Sequence, residues 1–536
     1  MHLESQVVVV GSGLSAVGAI RALISKGVKP LVLDIGATLP GESVKIKKIM
    51  SAKNPSDWNK SELSVYVGKD DASSKGLVPR KTTFGSDYFY SGSRSLPISE
   101  TACEHSSPPN SEALGGFSAG WGAAFLPPAS SDLADWPISH STVLEHMRLC
   151  TDGISKSEPF DALDNYFGRL SEPGMQSLPL SDGQTALLER IKRSISDDSI
   201  SPEVVGQSRL LTTFDKSDSP KNCKFCGYCS SGCSFDSIYK AEFDIREFID
   251  RDIIEYRSNV QVLSITDSID GVSLIGRNAL TGESLSVSSE KLFLAAGAVG
   301  TAKILLQSKE MFGHQISIRR TGGFIEPFIS IARHEIEWPN VNTQTSLYLD
   351  FVEDSVSTNW VHAQISLPNE IVLARLGLDH RTIHSMRGKI ARMIASHLVF
   401  AIVNTHSDFG PVYNVKLERG ASGGQGHILS SQYFSQYAKD MQRLLNRRLK
   451  QILRRRGMVG IDLLQQDSVA AAGYHFGASF PMKAVPKDVT DTDVLGRPFG
   501  WQNVHVVDTS VLPNIPGTTV GLLTMANAHR IASKAV

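Results

Sequence analysis

The chain has 536 residues, 41% of them hydrophobic and 20% charged, with a formal net charge of −1. That length exceeds one simple core and predicts two intertwined domains of an ordinary globular protein. The balanced charge excludes an electrostatic case for nucleic acid, and no apolar run is long enough to span a bilayer.

The first thirty-odd residues organise the rest. Val7 to Val10 form a continuous apolar run, the signature of a buried parallel strand. Gly11 and Gly13 follow at its end, with Ala16 in the third small position. Val17, Ile20, Leu23 and Ile24 then recur with helical spacing up to Gly27, and a second strand runs from about Pro30 to Asp34. This is the pattern of a dinucleotide-binding βαβ unit. Gly11 permits the tight turn, Gly13 lets backbone approach a pyrophosphate, and Ala16 keeps helix and strand close. The helix N-terminus offers unpaired N–H groups to phosphate. Asp34 is placed to accept hydrogen bonds from an adenosine ribose, and an acid there disfavours the 2′-phosphate of NADP.

Residues 41–110 are polar, with scattered aromatics such as Trp58, Tyr88, Phe89 and Tyr90. They read as a long excursion over the nucleotide domain, either a lid on the ligand or a plain surface insertion. Leu114–Ala124 carries four glycines around Ser118 and Trp121, which means close backbone approach to something. Asp135–Ser139 is expected to start a helix, with Pro137 near its first turn and Ser139 as a cap, and 141–204 to be mainly helical. Residues 258–290 predict a small antiparallel meander, and Lys291–Thr301 a second strand–Gly–helix unit. From about 316 to 435 mixed-polarity strands predict a separate sheet. Tyr437–Arg456 is a basic helix with Leu444, Leu445, Leu449, Ile452 and Leu453 along one side. It reads as a surface helix with a solvated Arg face, the other reading being an acidic membrane or partner. Residues 470–536 return to the nucleotide domain, with a strand at Val504–Asp508 and a helix from Leu522 to Ser533.

Four of the six cysteines fall in Cys223-Lys-Phe-Cys-Gly-Tyr-Cys-Ser-Ser-Gly-Cys233, spaced C-x2-C-x2-C-x3-C. This is the bacterial ferredoxin run without its final proline. Cys223, Cys226, Cys229 and Cys233 are therefore candidate ligands, with Cys103 or Cys150 as a remote fourth if only three act locally. An iron–sulfur cluster, zinc or another structural metal, and reduced or paired thiols all remain open. A cluster would give electrons a one-electron exit.

Four segments in order, Gly11-x-Gly13, Gly115-Gly-x-Ser-x-x-Trp-Gly122, Leu294-Ala-Ala-Gly-Ala-Val-Gly-Thr301 and Asn503–Pro513, together resemble the glucose–methanol–choline (GMC) family of FAD-dependent oxidoreductases. Asp135-Trp-Pro-Ile138 joins the likeness, which fades over roughly 311–469, and the Cys-rich loop resembles that of some bacterial branches. The resemblance implies an α/β protein, a Rossmann-like FAD-binding domain (1–140, 205–315, 470–536) interleaved with a β-sheet-based substrate domain (141–204, 316–469). It implies FAD, with Gly11, Gly13, Ala16 and Asp34 on the ADP half. Gly115, Gly116, Ser118 and Trp121 should lie along the pyrophosphate and flavin, with Asp508 at the ribityl–phosphate region.

The family's catalytic histidine precedes the last strand, and here Gly473-Tyr-His-Phe-Gly matches it, naming His475 as the base. A histidine can take an alcohol proton near neutrality and return it. The family's second residue, a His or Asn, falls near Thr519, which can donate a hydrogen bond but cannot act as a base. The expected activity is oxidation of a CH–OH group of a small, sugar-like alcohol by hydride transfer to flavin. Oxygen, an electron-acceptor protein or a quinone would take the electrons. A flavin-containing lyase or isomerase, and a non-catalytic flavin or iron–sulfur protein serving a partner, are the other readings. No signal peptide is evident, so the expected location is cytoplasmic.

Overall fold

The computed structural model describes all residues except 69–80, 91–97, 101–107, 173, 175, 194–201, 216–218, 421–425 and 468–473, and only the backbone of 98–100. Among the described residues, no helix is long and apolar enough to cross a membrane.

The apolar start of the chain becomes strand His2–Val10, whose last four residues are buried. It lies in the middle of a seven-stranded sheet, parallel to Leu31–Leu33 on one side and Ser284–Leu294 on the other. Val504–Val506 pairs with the upper half of Ser284–Leu294, and the meander Val260–Ser268, Gly271–Asn278 continues from its lower half. Strands buried on both faces tolerate only apolar side chains, which explains the unbroken Val run. Helix Leu14–Ser25 follows the first strand and packs on the closing helix Gly521–Ala535. Gly18 makes that contact close, since a Cβ there would stand 2.1 Å from the Met525 carbonyl oxygen. Ala16 is fully buried beside it.

A second seven-stranded sheet carries Gly322–Ser330, Leu398–Thr405, Ser357–Ser366, Leu347–Glu353 and Glu203–Gln207 in antiparallel order. Its period of two divides its residues cleanly. Leu349, Phe351, Val361, Ala363, Ala401 and Val403 face a core closed by helices Asp182–Lys192 and Gln436–Arg454. Tyr348, Asp350, His362, Gln364 and Ile402 alternate with them and therefore turn to the opposite side. The basic helix thus buries Leu445, Leu449, Ile452 and Leu453 in the protein's own core, and Leu444 alone of the expected row is exposed. Arg448 and Lys450 pair with Glu203, Glu353, Glu326 and Asp462. A five-stranded sheet, including Gln315–Arg320, Val412–Glu418 and the two-residue strand Phe476–Gly477, joins the two halves.

Two expectations need correction. Ser139 does cap a helix, accepting from the Thr142 amide at 3.2 Å, but that helix is His140–Cys150, so Pro137 stands outside its first turn. Residues 141–204 are less helical than expected: only His140–Cys150, Asp164–Phe167 and Asp182–Lys192 are helices among the described residues. Gly153 and Gly168, both with positive φ, break the chain between them.

His146 on His140–Cys150 meets His529 on the closing helix, Nδ1 to Nδ1 at 2.9 Å. One proton can serve that bond, and burial holds both imidazoles down at about 4. In the unfolded chain each would titrate near 6.5, so the fold binds fewer protons between those values. Stability is expected to fall as pH drops from about 6.5 towards 4, and His529→Gln should flatten that limb in pH-dependent thermal melts.

Candidate active site

A cavity of about 550 Å³ runs from the end of the first strand to the second sheet. At the end of the cavity nearest the first strand, Gly11 turns with φ +105, and a Cβ there would lie 2.3 Å from the Ala295 carbonyl oxygen. Gly13 opens the helix, and a Cβ built on it meets no protein atom within 4 Å, as at Gly122 and Gly297. All three line the cavity, so the backbone forms a cradle open to a ligand. Asp34 lies just past its strand, and its carboxylate accepts from Ser12 Oγ at 2.5 Å and Tyr256 Oη at 3.1 Å. Burial pushes its pKa up to about 6 despite those two donors. Ser12 also accepts the Gly115 amide at 3.0 Å, tying the first glycine motif to the second. Lys303, Gln261 and Val262 close this end of the cavity, and burial lowers the Lys303 ammonium to about 8.

The second glycine motif is a short 3-10 turn, Gly116–Ala119, lying along the cavity. Ser118 is not a free donor: its hydroxyl gives to Gly115 O at 2.6 Å and takes the Ala241 amide at 3.0 Å. Trp121 lines the wall, with Nε1 bonded to Tyr239 O at 2.6 Å. Asp508 is buried, accepting from Thr301 Oγ1 at 2.5 Å and the Ser510 amide at 2.9 Å, and burial raises its pKa.

His475 lines the far end. Its backbone is fixed by sheet pairing: Phe476 and Gly477 pair with Arg320 and Arg319, and the His475 carbonyl accepts the Thr321 amide at 3.0 Å. Its Nδ1 is buried without a hydrogen-bond partner. Burial, with the neighbouring His362 and Arg320, lowers its pKa to about 4, so the imidazole is neutral at physiological pH. Thr519 lines the same cavity, but its hydroxyl accepts the Leu126 amide at 2.8 Å and reaches back to Leu126 O at 3.4 Å. Gly473 lies outside the described residues.

Several wall residues were not singled out by the sequence. Thr345 donates to Gln364 Oε1 at 2.8 Å, leaving the Gln364 amide nitrogen for the cavity. Tyr474 stacks near Phe117 and Tyr90 at ring separations of 5.0 and 5.6 Å. Lys81, Phe89, Pro109 and Asn110 from the long excursion, and residues 111–113 just after it, also line the cavity, which favours the covering role over a plain insertion for that part. Only the low-specificity aromatic scatter at 88–90 pointed there.

The four loop cysteines lie close enough to bias one another's ionisation, and burial raises the thiol pKa values of Cys223, Cys226 and Cys229. Cys223 Sγ accepts from Asn342 Nδ2 at 3.5 Å and Cys233 Sγ from the Ser237 amide at 3.2 Å. Among the described residues, however, no three His, Cys, Asp or Glu side chains converge as a metal-binding group. Gly227 packs closely on a neighbouring segment: a Cβ there would stand 2.5 Å from Pro339 O and 2.8 Å from Trp338 Cδ1. Cys150 is buried beside Arg21 and Lys156. Cys103 lies outside the described residues.

No protein-family model and no curated protein matches the sequence. Among solved structures the chain is similar to pyridoxine 4-oxidase from Mesorbium loti, with a TM-score of 0.57 and 14% sequence identity over 98% of each chain. The fold is therefore the expected α/β class, a Rossmann-like domain interleaved with a β-sheet-based domain.

Proposed function

We propose that the protein is an FAD-dependent oxidoreductase of the glucose–methanol–choline type, oxidising a CH–OH group with His475 as base. The observation that carries this reading is one continuous cavity with a Gly-rich dinucleotide cradle at one end and a neutral, buried-edge imidazole at the other. The fold shared with pyridoxine 4-oxidase supports it. The open cradle at Gly13, Gly122 and Gly297 fits an FAD molecule, which when bound would supply the hydride acceptor.

The chain's residues divide the remaining work. Gly11, Gly13 and the helix start at Leu14 present backbone to a pyrophosphate, and Asp34 has one carboxylate oxygen uncommitted to Ser12 or Tyr256 for a ribose hydroxyl. Gly115, Gly116, Trp121 and Asp508 shape the wall, while Tyr474, Phe117 and Phe89 exclude water from the far end. His475 takes the alcohol proton as the C–H bond breaks, and its low proton affinity lets the proton leave again. The Gln364 amide is placed to donate to the substrate oxygen. A small polyhydroxylated alcohol suits this mix of amide, hydroxyl and aromatic groups. No step passes through the cysteines.

Protein purified without oxygen tests the reading through its visible spectrum. Resolved flavin bands that a cognate alcohol bleaches are the expected result, and a colourless protein that binds no added FAD would remove it. Asp34 adds a pH dependence. Its carboxylate form, the acceptor for ribose, prevails above about pH 6, so FAD affinity should weaken as pH falls below that value. Asp34→Asn should bind FAD less tightly with this dependence lost, as read by flavin fluorescence titration.

A further inference from the structure

We propose that one corner of the protein is a docking surface for an anionic lipid bilayer, formed by the outer face of helix Met386–Ala395 and the strands Gly322–Ser330 and Met458–Gly460 beside it. It is independent of the role given to His475 and of the cofactor.

The helix is built inside out. Its buried positions are the small residues Gly388, Ala391 and Ala395, and a Cβ on Gly388 would stand 2.1 Å from the Thr382 carbonyl oxygen. Its large apolar residues, Met386, Ile390, Met393 and Ile394, are all exposed, Met386 at 70%. Their spacing places them on one side of a 3.6-residue helix, with Arg387 and Lys389 flanking that arc on either hand. Small inner residues bring the helix close to the protein, but an apolar outer face gains nothing in water. The orientation is fixed. Ser385 accepts the Gly388 amide at 3.1 Å, and Arg392 donates to the Ile336 and Trp338 carbonyls.

The apolar surface continues past the helix end. The Ser396 carbonyl accepts the His334 amide and the His397 carbonyl accepts the Ser330 amide, each at 2.7 Å, which sets the last turn beside the segment carrying Ile331. Ile331 is 77% exposed, and its amide donates to Gly457 O at 2.9 Å. Ile329 and Val459 stand directly opposite one another in paired strands, with Phe328 and Met458 turned to the core, so both side chains point outward. Leu463, 93% exposed, follows on the next turn, where the Ile461 amide donates to Pro327 O at 2.8 Å. Ile329 shares its sheet face with Ile325 and with Ile402 opposite it, and Ile402 lines the cavity, about 13 Å away along the strands. Docking surface and cavity thus lie on one side of this sheet.

Charge chooses the occupant. The helix carries Arg387, Lys389 and Arg392 and no acid. Arg333 is exposed at the corner, and Arg454 and Arg455 are exposed just before Gly457. Against these stand Glu335, also exposed, and Asp462, whose carboxylate is taken by Lys450 at 2.6 Å. Apolar tips ringed by cations match the acyl boundary and phosphate level of an anionic bilayer. Side chains as uncovered as Leu463 and Ile331 project far enough to enter that boundary. Two copies meeting through this face would instead set its cations against one another.

The test is co-sedimentation of the full chain, as purified, with vesicles of phosphatidylcholine alone or mixed with phosphatidylglycerol. Wild type should bind the mixed vesicles at least about tenfold more tightly than the neutral ones, and lose affinity as salt screens the cations. Ile390→Ser and Leu463→Ser should each weaken binding about tenfold without moving the melting temperature, since both side chains are exposed. Ile269→Ser, at the exposed turn of the meander, should bind as wild type does. Absence of binding to the mixed vesicles overturns the proposal. Equal binding by Ile390→Ser, Leu463→Ser and wild type does so too, because the membrane contact would then lie elsewhere. Dimers in light scattering that Ile390→Ser dissociates, with vesicles left unbound, would make the face a contact between copies and likewise overturn it. Flavin content and flavin reduction enter none of these readouts, so failure of either reading leaves the other standing.

Discussion

Replacing His475 by alanine is expected to slow substrate-driven flavin reduction by roughly 10²–10⁴-fold, the usual contribution of a positioned general base. FAD should stay bound, because His475 lies at the far end of the cavity from Gly11, Gly13 and Asp34. The fold should also survive. Sheet pairing of Phe476 and Gly477 with Arg320 and Arg319 is made by backbone, and the His475 side chain contributes no hydrogen bond at Nδ1. Stopped-flow bleaching of the flavin bands, with any alcohol that reduces the wild type, measures the effect. A neutral imidazole explains the size. With a folded-state pKa near 4 it is an unprotonated acceptor throughout the neutral range, and alanine has nothing to offer in its place. Wild-type reduction rates in this variant would strike His475 from the mechanism.

Gly13→Val is expected to weaken FAD binding by at least ~10²-fold while leaving the apoprotein's melting temperature almost unchanged. Gly13 has φ −70 and ψ −176, an extended geometry open to any residue, so no backbone strain arises. A Cβ there meets no protein atom within 4 Å, so the new side chain projects into the cradle and displaces the pyrophosphate from the helix start. Losing even two or three backbone hydrogen bonds to a charged ligand, at about 1.5–3 kcal/mol each, accounts for that factor. Gly11→Ala is the contrasting control. There φ is +105 and the Cβ would collide with Ala295 O at 2.3 Å, so the fold itself should suffer. Fluorescence titration of FAD, beside thermal melts of the apoproteins, separates the two. Equal FAD affinity in Gly13→Val and wild type would show that the pyrophosphate does not lie on this turn.

Much of this protein is local information. The Val7–Val10 run, the glycines at 11 and 13, the apolar helix face and Asp34 lie within thirty-four residues, and each follows from its neighbours' chemistry. The meander after Val260, the strand before Gly297, the Ser139 cap and the buried side of Gln436–Arg454 follow from periodicity and capping in the same way. The polar stretch from 141 to 204 was harder to read, because its glycines interrupt an otherwise helical composition.

Tertiary structure decided what depends on residues far apart. Cysteine spacing brings thiols near one another, yet among the described residues no three side chains of the ligating types converge as a metal-binding group, because convergence depends on how the whole loop packs. Thr519 stands where a second active-site group was expected, but only the fold showed its hydroxyl bound to Leu126, 393 positions away. Ser12 bridging Asp34 to Gly115, Gln364 on the cavity wall and His362 opposite Asp350 are likewise products of strand register and domain packing. Sequence alone determined the strand–glycine–helix unit that opens the chain, since its chemistry is written in one contiguous motif. Only the tertiary structure decided what surrounds His475, because burial and hydrogen-bond partners are properties of the packed chain.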